Sequence, residues 1–150
     1  MKRTFIVVLV LILMSCNSSD KKQELSAVNI SEEKTIKKTP ELKQSMVRGE
    51  EIYRYFCVSC HLPNGKGVPK AFPPLADSDY LMTKRIESIK AVKLGQSGKI
   101  IVNGQTYNGA MPPLGLENDE IADVMNYITN SWDNTNDKLF TEEEVSEIEP

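Results

Sequence analysis

The stretch that most limits what this chain can become is Cys57-Val58-Ser59-Cys60-His61. Two thiols three positions apart, followed at once by an imidazole, serve few chemistries. A thioredoxin-like redox pair would follow a strand in a βαβ unit, and no such pattern precedes Cys57. A structural zinc site needs four ligands, and the chain holds three cysteines and one histidine, with Cys16 placed far off in a leader-like segment. The remaining chemistry is covalent attachment of a haem. Each thiol adds to one vinyl group of the porphyrin, and the adjacent His faces the iron.

Residues 1–15 pair Lys2 and Arg3 with an apolar run from Phe5 to Met14. This is the charged and apolar layout of an export signal, too short for a stable bilayer span. It ends Leu13-Met14-Ser15-Cys16, which resembles a bacterial lipobox. That resemblance implies cleavage before Cys16 and lipid on Cys16, giving a periplasmic protein anchored to a membrane surface; the alternative is a simple secretory signal with an incidental Cys. Residues 16–41 form the lipidated N-terminus and a linker. The linker is polar, its acidic and basic side chains balance, and it has no sustained apolar period, so a flexible tether with a reach of roughly 25 to 30 Å is expected.

The folded part is expected over 42–133. Thr39-Pro40 reads as an N-cap followed by proline at the first helical position. Leu42, Met46, Ile52, Tyr53 and Phe56 follow as an apolar stripe. Gly49 interrupts this helix at a cost of about 1 kcal/mol relative to Ala, so a packing reason is expected. Leu62 to Gly67 is turn-rich and leads to Phe72-Pro73-Pro74-Leu75. Asp77 is a candidate cap for a short helix with Tyr80, Leu81 and Met82. Thr83 is a candidate cap for another, with Ile86, Ile89, Val92 and Leu94 inward and Gly95 as its stop. Ile100-Ile101-Val102-Asn103-Gly104 predicts a β-hairpin. A last helix runs from Asn118 or Asp119 to Trp132, acidic at its start and apolar at Ile121, Val124, Met125, Ile128 and Trp132. Residues 134–150 form an acidic tail in which Phe140-Thr141-Glu142-Glu143-Glu144-Val145 reads as a staple and capping box for a short helix.

From Gly49 to Trp132 the chain resembles the class I cytochromes c. The resemblance rests on the C-x-x-C-H stretch, on Gly49 eight residues before Cys57 with Tyr53 and Tyr127, on Pro73 twelve residues after His61, and on Met111-Pro112. It implies an all-α small cytochrome c fold with helices packed around one covalently bound haem c, plus a short β-hairpin. It also implies that Gly49 and Tyr53 meet Tyr127, that the Pro73 carbonyl holds the His61 ring, and that Leu75 packs on the His side of the porphyrin. A stiff loop without haem contact is the other reading of Pro73-Pro74. Independently of the family, iron held by one imidazole takes a soft thioether as sixth ligand, which raises its reduction potential. Met111 stands in a Pro- and Gly-rich loop with no helical period, whereas Met82 and Met125 suit core filling.

The expected site is therefore Cys57 and Cys60 as thioether anchors, His61 and Met111 as iron ligands, and Pro73 and Leu75 in support. The expected function is single-electron transfer without a reaction of its own, between redox protein partners. The chain could equally be a cytochrome subunit of a larger oxidoreductase: a terminal oxidase, a nitrite reductase or a periplasmic dehydrogenase. A gas-binding or peroxidase-like haem needs an open sixth site, which the Met111 loop opposes. Net charge is −3 and no nucleic-acid motif occurs, so nucleic acid is not an expected partner. Lys66, Lys70, Lys84, Arg85, Lys90, Lys93 and Lys99 cluster in sequence; they form either a rim steering an acidic docking surface or a solvated face.

Overall fold

A computed structural model describes residues 38–149. The export signal, Cys16 and the linker up to residue 37 lie outside the described residues. The architecture is helical with one two-stranded antiparallel hairpin. Helix α1 spans Pro40–Ile52, α2 Val58–His61, α3 Asp79–Thr83, α4 Arg85–Leu94, α5 Asn118–Ile128 and α6 Glu142–Ser146, with β1 Gln96–Val102 and β2 Gln105–Met111 between α4 and α5.

Helix α1 begins as its sequence dictates: the Thr39 hydroxyl accepts the Leu42 N–H at 3.1 Å and Pro40 occupies the first turn. The expected apolar stripe is only partly right. Leu42 and Tyr53 are buried, but Met46 is half-buried and Phe56 is 46% exposed. For Phe56 the cause is a π-helical turn over Tyr53–Cys57, in which the Val58 N–H donates to the Tyr53 carbonyl five residues back. That wider turn breaks the 3.6-residue period on which the stripe was read.

Helices α1 and α5 cross at Gly49. A Cβ on Gly49 would stand 2.1 Å from the Asp123 carbonyl oxygen and 2.8 Å from Tyr127 Cβ, so only glycine permits this approach. Beside the crossing, Tyr53 and Tyr127 lie 5.5 Å apart, and Trp132 completes a triad at 5.1 and 5.6 Å from them. Asp123, expected only to favour the start of α5, is instead buried in the interface. Its carboxylate accepts the Ser45 hydroxyl at 2.7 Å and both Nε and Nη2 of Arg48. These bonds satisfy the lone pairs of a carboxylate taken out of water.

Several helix ends differ from expectation. Ser78, not Asp77, caps α3, its hydroxyl accepting the Leu81 N–H, because Asp77 turns to a positive φ of 50° and binds Asn134 through its backbone. Thr83 does not cap α4, since its hydroxyl donates back to Asp79 O at 2.6 Å. Ile89 is fully buried while Ile86 is exposed. Helix α5 stops at Ile128 rather than Trp132: the Thr129 and Ser131 hydroxyls take the Met125 and Tyr127 carbonyls, the Asn134 amide takes that of Ile128, and Trp132 adopts a φ of 52°. Met82, expected in the core, is 38% exposed, whereas Met125 is wholly buried.

The hairpin turns at Asn103-Gly104 with φ values of 50° and 74°, the two positive angles of a type I′ turn. Its register runs from Val102 with Gln105 out to Gln96 with Met111. Beyond Trp132 the chain returns to the core: Phe140, Val145 and Ile148 are buried with Ile89, Ile121 and Met125. The Asn126 amide donates to the Phe140 carbonyl and accepts its N–H, both at 2.9 Å. Arg85 binds Glu144 through two nitrogens and stacks 3.4 Å over the Phe140 ring. That hydrogen-bonded guanidinium holds the Glu144 carboxyl below the usual carboxylate range, so the docked tail keeps its charge pair throughout the neutral range.

Candidate functional site

All six site residues expected in the folded part line one cavity. Cys57, Cys60, His61, Pro73, Leu75 and Met111 share it with apolar side chains from α4, α5 and the hairpin, including Val92, Val124, Met125, Ile128 and Val102. Its volume of about 310 Å³ suits a ligand-binding cleft. Helix α2 and the π turn before it supply the thiols and the imidazole, the loop after α2 supplies Pro73 and Leu75, and the end of β2 supplies Met111.

His61 is buried, and its Nδ1 lies 3.0 Å from the Pro73 carbonyl oxygen. A carbonyl can only accept, so Nδ1 carries the proton and Nε2 keeps its lone pair. Burial lowers the His61 pKa against the opposing pull of that hydrogen bond, favouring the neutral ring that a metal needs. The loop is shaped by glycine. Gly67 N–H donates to His61 O, and a Cβ on Gly67 would meet the Phe72 and Pro73 carbonyl oxygens at 2.4 and 2.5 Å. Gly65 O accepts the Leu75 and Ala76 N–H groups, and Gly65 itself lies flat against the Trp132 ring. Asn134 closes the arrangement by donating to Leu75 O at 2.8 Å. The sequence marked this loop only as turn-rich; the parts played by Trp132 and Asn134 depend on long-range packing with no local signature.

Met111 is not in a loop, as expected, but is the last residue of β2, paired with Gln96. The Pro-rich segment starts only after it. Gly95 brings the backbones together: a Cβ there would stand 2.7 Å from Met111 O and 2.9 Å from Pro113 Cδ. Met125 lines the same cavity from α5 while packing in the core, and Met82 does not reach it.

Cys57 and Cys60 are free thiols in this structure. Burial, and after it the neighbouring Cys60, pushes the Cys57 thiol up to about 12, which is the reverse of a redox-active CxxC thiol. Among the described residues no cluster of three or more His, Cys, Asp and Glu side chains could hold a metal. One imidazole nitrogen, one thioether and two thiols around an apolar slot fit a different guest, an iron porphyrin with two reactive edges. The cytochrome c family profile matches residues 46–132. The chain belongs to the cytochrome c family. Within it, this is a class I monohaem cytochrome c, and its cofactor is covalently bound haem c. It is 38% identical over 109 residues to cytochrome c-552 of Thermus thermophilus, covering 67% of this chain and 82% of that protein. It is also 33% identical over 88 residues to the cytochrome c subunit of alcohol dehydrogenase (quinone) from Gluconobacter oxydans, covering 57% of this chain but 18% of that subunit. A corresponding subunit from Gluconacetobacter polyoxogenes is 28% identical over 116 residues, with 22% of it covered. This cytochrome c is accordingly an electron-carrying haem protein.

Proposed function

We propose that the chain is a periplasmic cytochrome c, held to a membrane by lipid on Cys16, that passes single electrons between redox protein partners. The reading gives Cys57 and Cys60 the two thioether bonds, His61 and Met111 the iron, Pro73 the orientation of the imidazole, and Leu75 a packing place against the ring. Bound haem supplies a one-electron couple. The chain's residues hold it, exclude water from it and set its ligand field. The observation that carries this reading is the convergence of the C-x-x-C-H segment and Met111 on one apolar cavity, with the His61 Nδ1 already engaged by Pro73. A peroxide-cleaving haem needs an acid–base group near the iron, most often a second histidine, and beside His61 the cavity lining holds no histidine, carboxylate, lysine or arginine among the described residues. No described helix is long and apolar enough to cross a membrane; the proposed anchor is the lipid on Cys16. Mass spectrometry of the mature protein from its native membrane should show one added haem and an acylated Cys16; a free Cys16 thiol there would rule out the lipoprotein half.

The second reading, a cytochrome subunit of a larger oxidoreductase, is favoured by the similarity to dehydrogenase subunits. Co-purification of stoichiometric partners from solubilised membranes separates the two.

The partner side of the proposal needs a revised set of basic residues. Arg85 and Lys93 are occupied by the tail, and Lys84 lies over the Tyr80 ring. Lys66, Lys70 and Lys99 are exposed, the last two beside the lining residues Ala71, Gly98 and Ile100. If they steer an acidic docking surface, transfer to the native acceptor slows as salt rises, because screening limits their reach to about 8 Å at physiological ionic strength. Replacing Lys66, Lys70 and Lys99 together by Gln should imitate high salt and leave the haem spectrum unchanged. Rates indifferent to both would make these lysines a solvated face.

A further inference from the structure

We propose that the carboxy-terminal segment around α6 positions Met111 by holding helix α4, with Lys93 and Arg85 as the positioning residues. The inference rests on the reading of Met111 as an iron ligand. The family match ends at residue 132, so this segment is an addition to the matched domain, and the structure shows what it grips.

It fastens both ends of α4. At the first residue of the helix, Arg85 gives Nε and Nη2 to the Glu144 carboxylate, Nη1 to Lys138 O and Nη2 to Leu139 O, and its guanidinium covers the Phe140 ring. In the last turn, the Lys93 ammonium donates to Val145 O at 2.8 Å. Between these ends, Ile89 belongs to the same buried cluster as Val145 and Ile148, while Ala91 and Val92 line the cavity. The helix is thus a plate with the tail on one side and the haem cavity on the other.

The link from Lys93 to Met111 is short and stiff. Lys93 is followed by Leu94 and then by Gly95, whose Cα lies too close to Met111 O and Pro113 to admit a side chain. The next residue, Gln96, is the strand partner of Met111. Loss of the Lys93 contact would free the last turn of α4, and with it the outermost pair of the hairpin. That pair is the last of the ladder, at the end far from the Asn103-Gly104 turn, where fraying begins.

The test is made on the ferric holoprotein with imidazole as an added competing ligand, since imidazole binds the iron only when Met111 has left it. Lys93→Met keeps the aliphatic stem and removes the donor; Glu144→Ala releases Arg85. Arg48→Met, which breaks the Asp123 pair at the α1–α5 interface, is the control for lost stability elsewhere. Imidazole affinity should rise about tenfold in Lys93→Met and in Glu144→Ala, the equivalent of one charge-assisted hydrogen bond transmitted in full, and stay within about twofold of the parent in Arg48→Met. The far-red band of Met-ligated ferric haem should weaken in step. Unchanged affinity in both tail variants, or an equal rise in Arg48→Met, overturns the positioning role. Met111→Ala run alongside keeps the two readings apart, because a far-red band that survives there overturns the ligand assignment itself.

Discussion

Replacing Met111 by Ala should abolish the weak far-red band of the ferric protein, lower the reduction potential and open the iron to carbon monoxide. On the proposed ligation a soft thioether favours the ferrous ion. Losing two to three decades of that preference lowers a one-electron potential by roughly 100 to 200 mV. The other methionines give the contrast. Met125 is fully buried, so Met125→Ala should cost about 2 to 5 kcal/mol of stability yet keep the band. Met82 is exposed, and Met82→Ala should change neither by a measurable amount. Visible spectra and redox titration of the three variants decide it: retention of the band without Met111 would transfer the ligand role elsewhere.

Gly49→Ala should lose stability through overpacking where α1 and α5 cross. Helix propensity alone would make Ala better here by about 1 kcal/mol. The new methyl, however, would sit 2.1 Å from the Asp123 carbonyl oxygen, a rigid backbone atom with nowhere to turn. Helices α1 and α5 must then separate, loosening the contact between Tyr53 and Tyr127 and the Ser45–Asp123–Arg48 hydrogen bonds together. Overpacking in a close-packed interior costs about 1 to 3 kcal/mol and sometimes more; with the polar seam strained as well, a net loss of about 3 kcal/mol is expected. Chemical denaturation of the holoprotein measures it. A variant as stable as the parent would mean that the two helices can slide apart without penalty.

What could be read from the sequence was whatever has a local physical cause. Thr39-Pro40 starts a helix because cap and φ are both supplied within four residues, and Asn103-Gly104 makes its hairpin because both tolerate positive φ. The cavity-lining set was also legible: Cys57, Cys60 and His61 from their spacing, Met111 from its setting and the resemblance together, and Pro73 and Leu75 through the family resemblance. Features decided between distant segments were not. Asp123 looks like an ordinary N-terminal acid until Ser45 and Arg48 of α1 meet it. Arg85 and Lys93 look like rim cations until the tail folds back onto them. Met82 and Ile86 occupy apolar positions by pattern, yet their helices are too short to bury every such position. Met111 resembles a loop residue because prolines follow it, while its strand pairing with Gln96 depends on a segment fifteen residues upstream.

The π-helical turn over Tyr53–Cys57 makes the placement of Cys57, Cys60 and His61 sensitive to a change that substitutions do not test, namely the number of residues in the helix. Each residue of an α-helix turns the chain by about 100°. Adding one residue to the Arg54–Phe56 stretch, beyond the one that the wide turn already absorbs, would swing Cys57, Cys60 and His61 together by about that angle, away from Pro73 and the cavity. The wide turn acts as a phase shifter. Upstream of it the helix is indexed to Gly49 and α5, downstream to the cavity, and the two faces are brought into step by length alone.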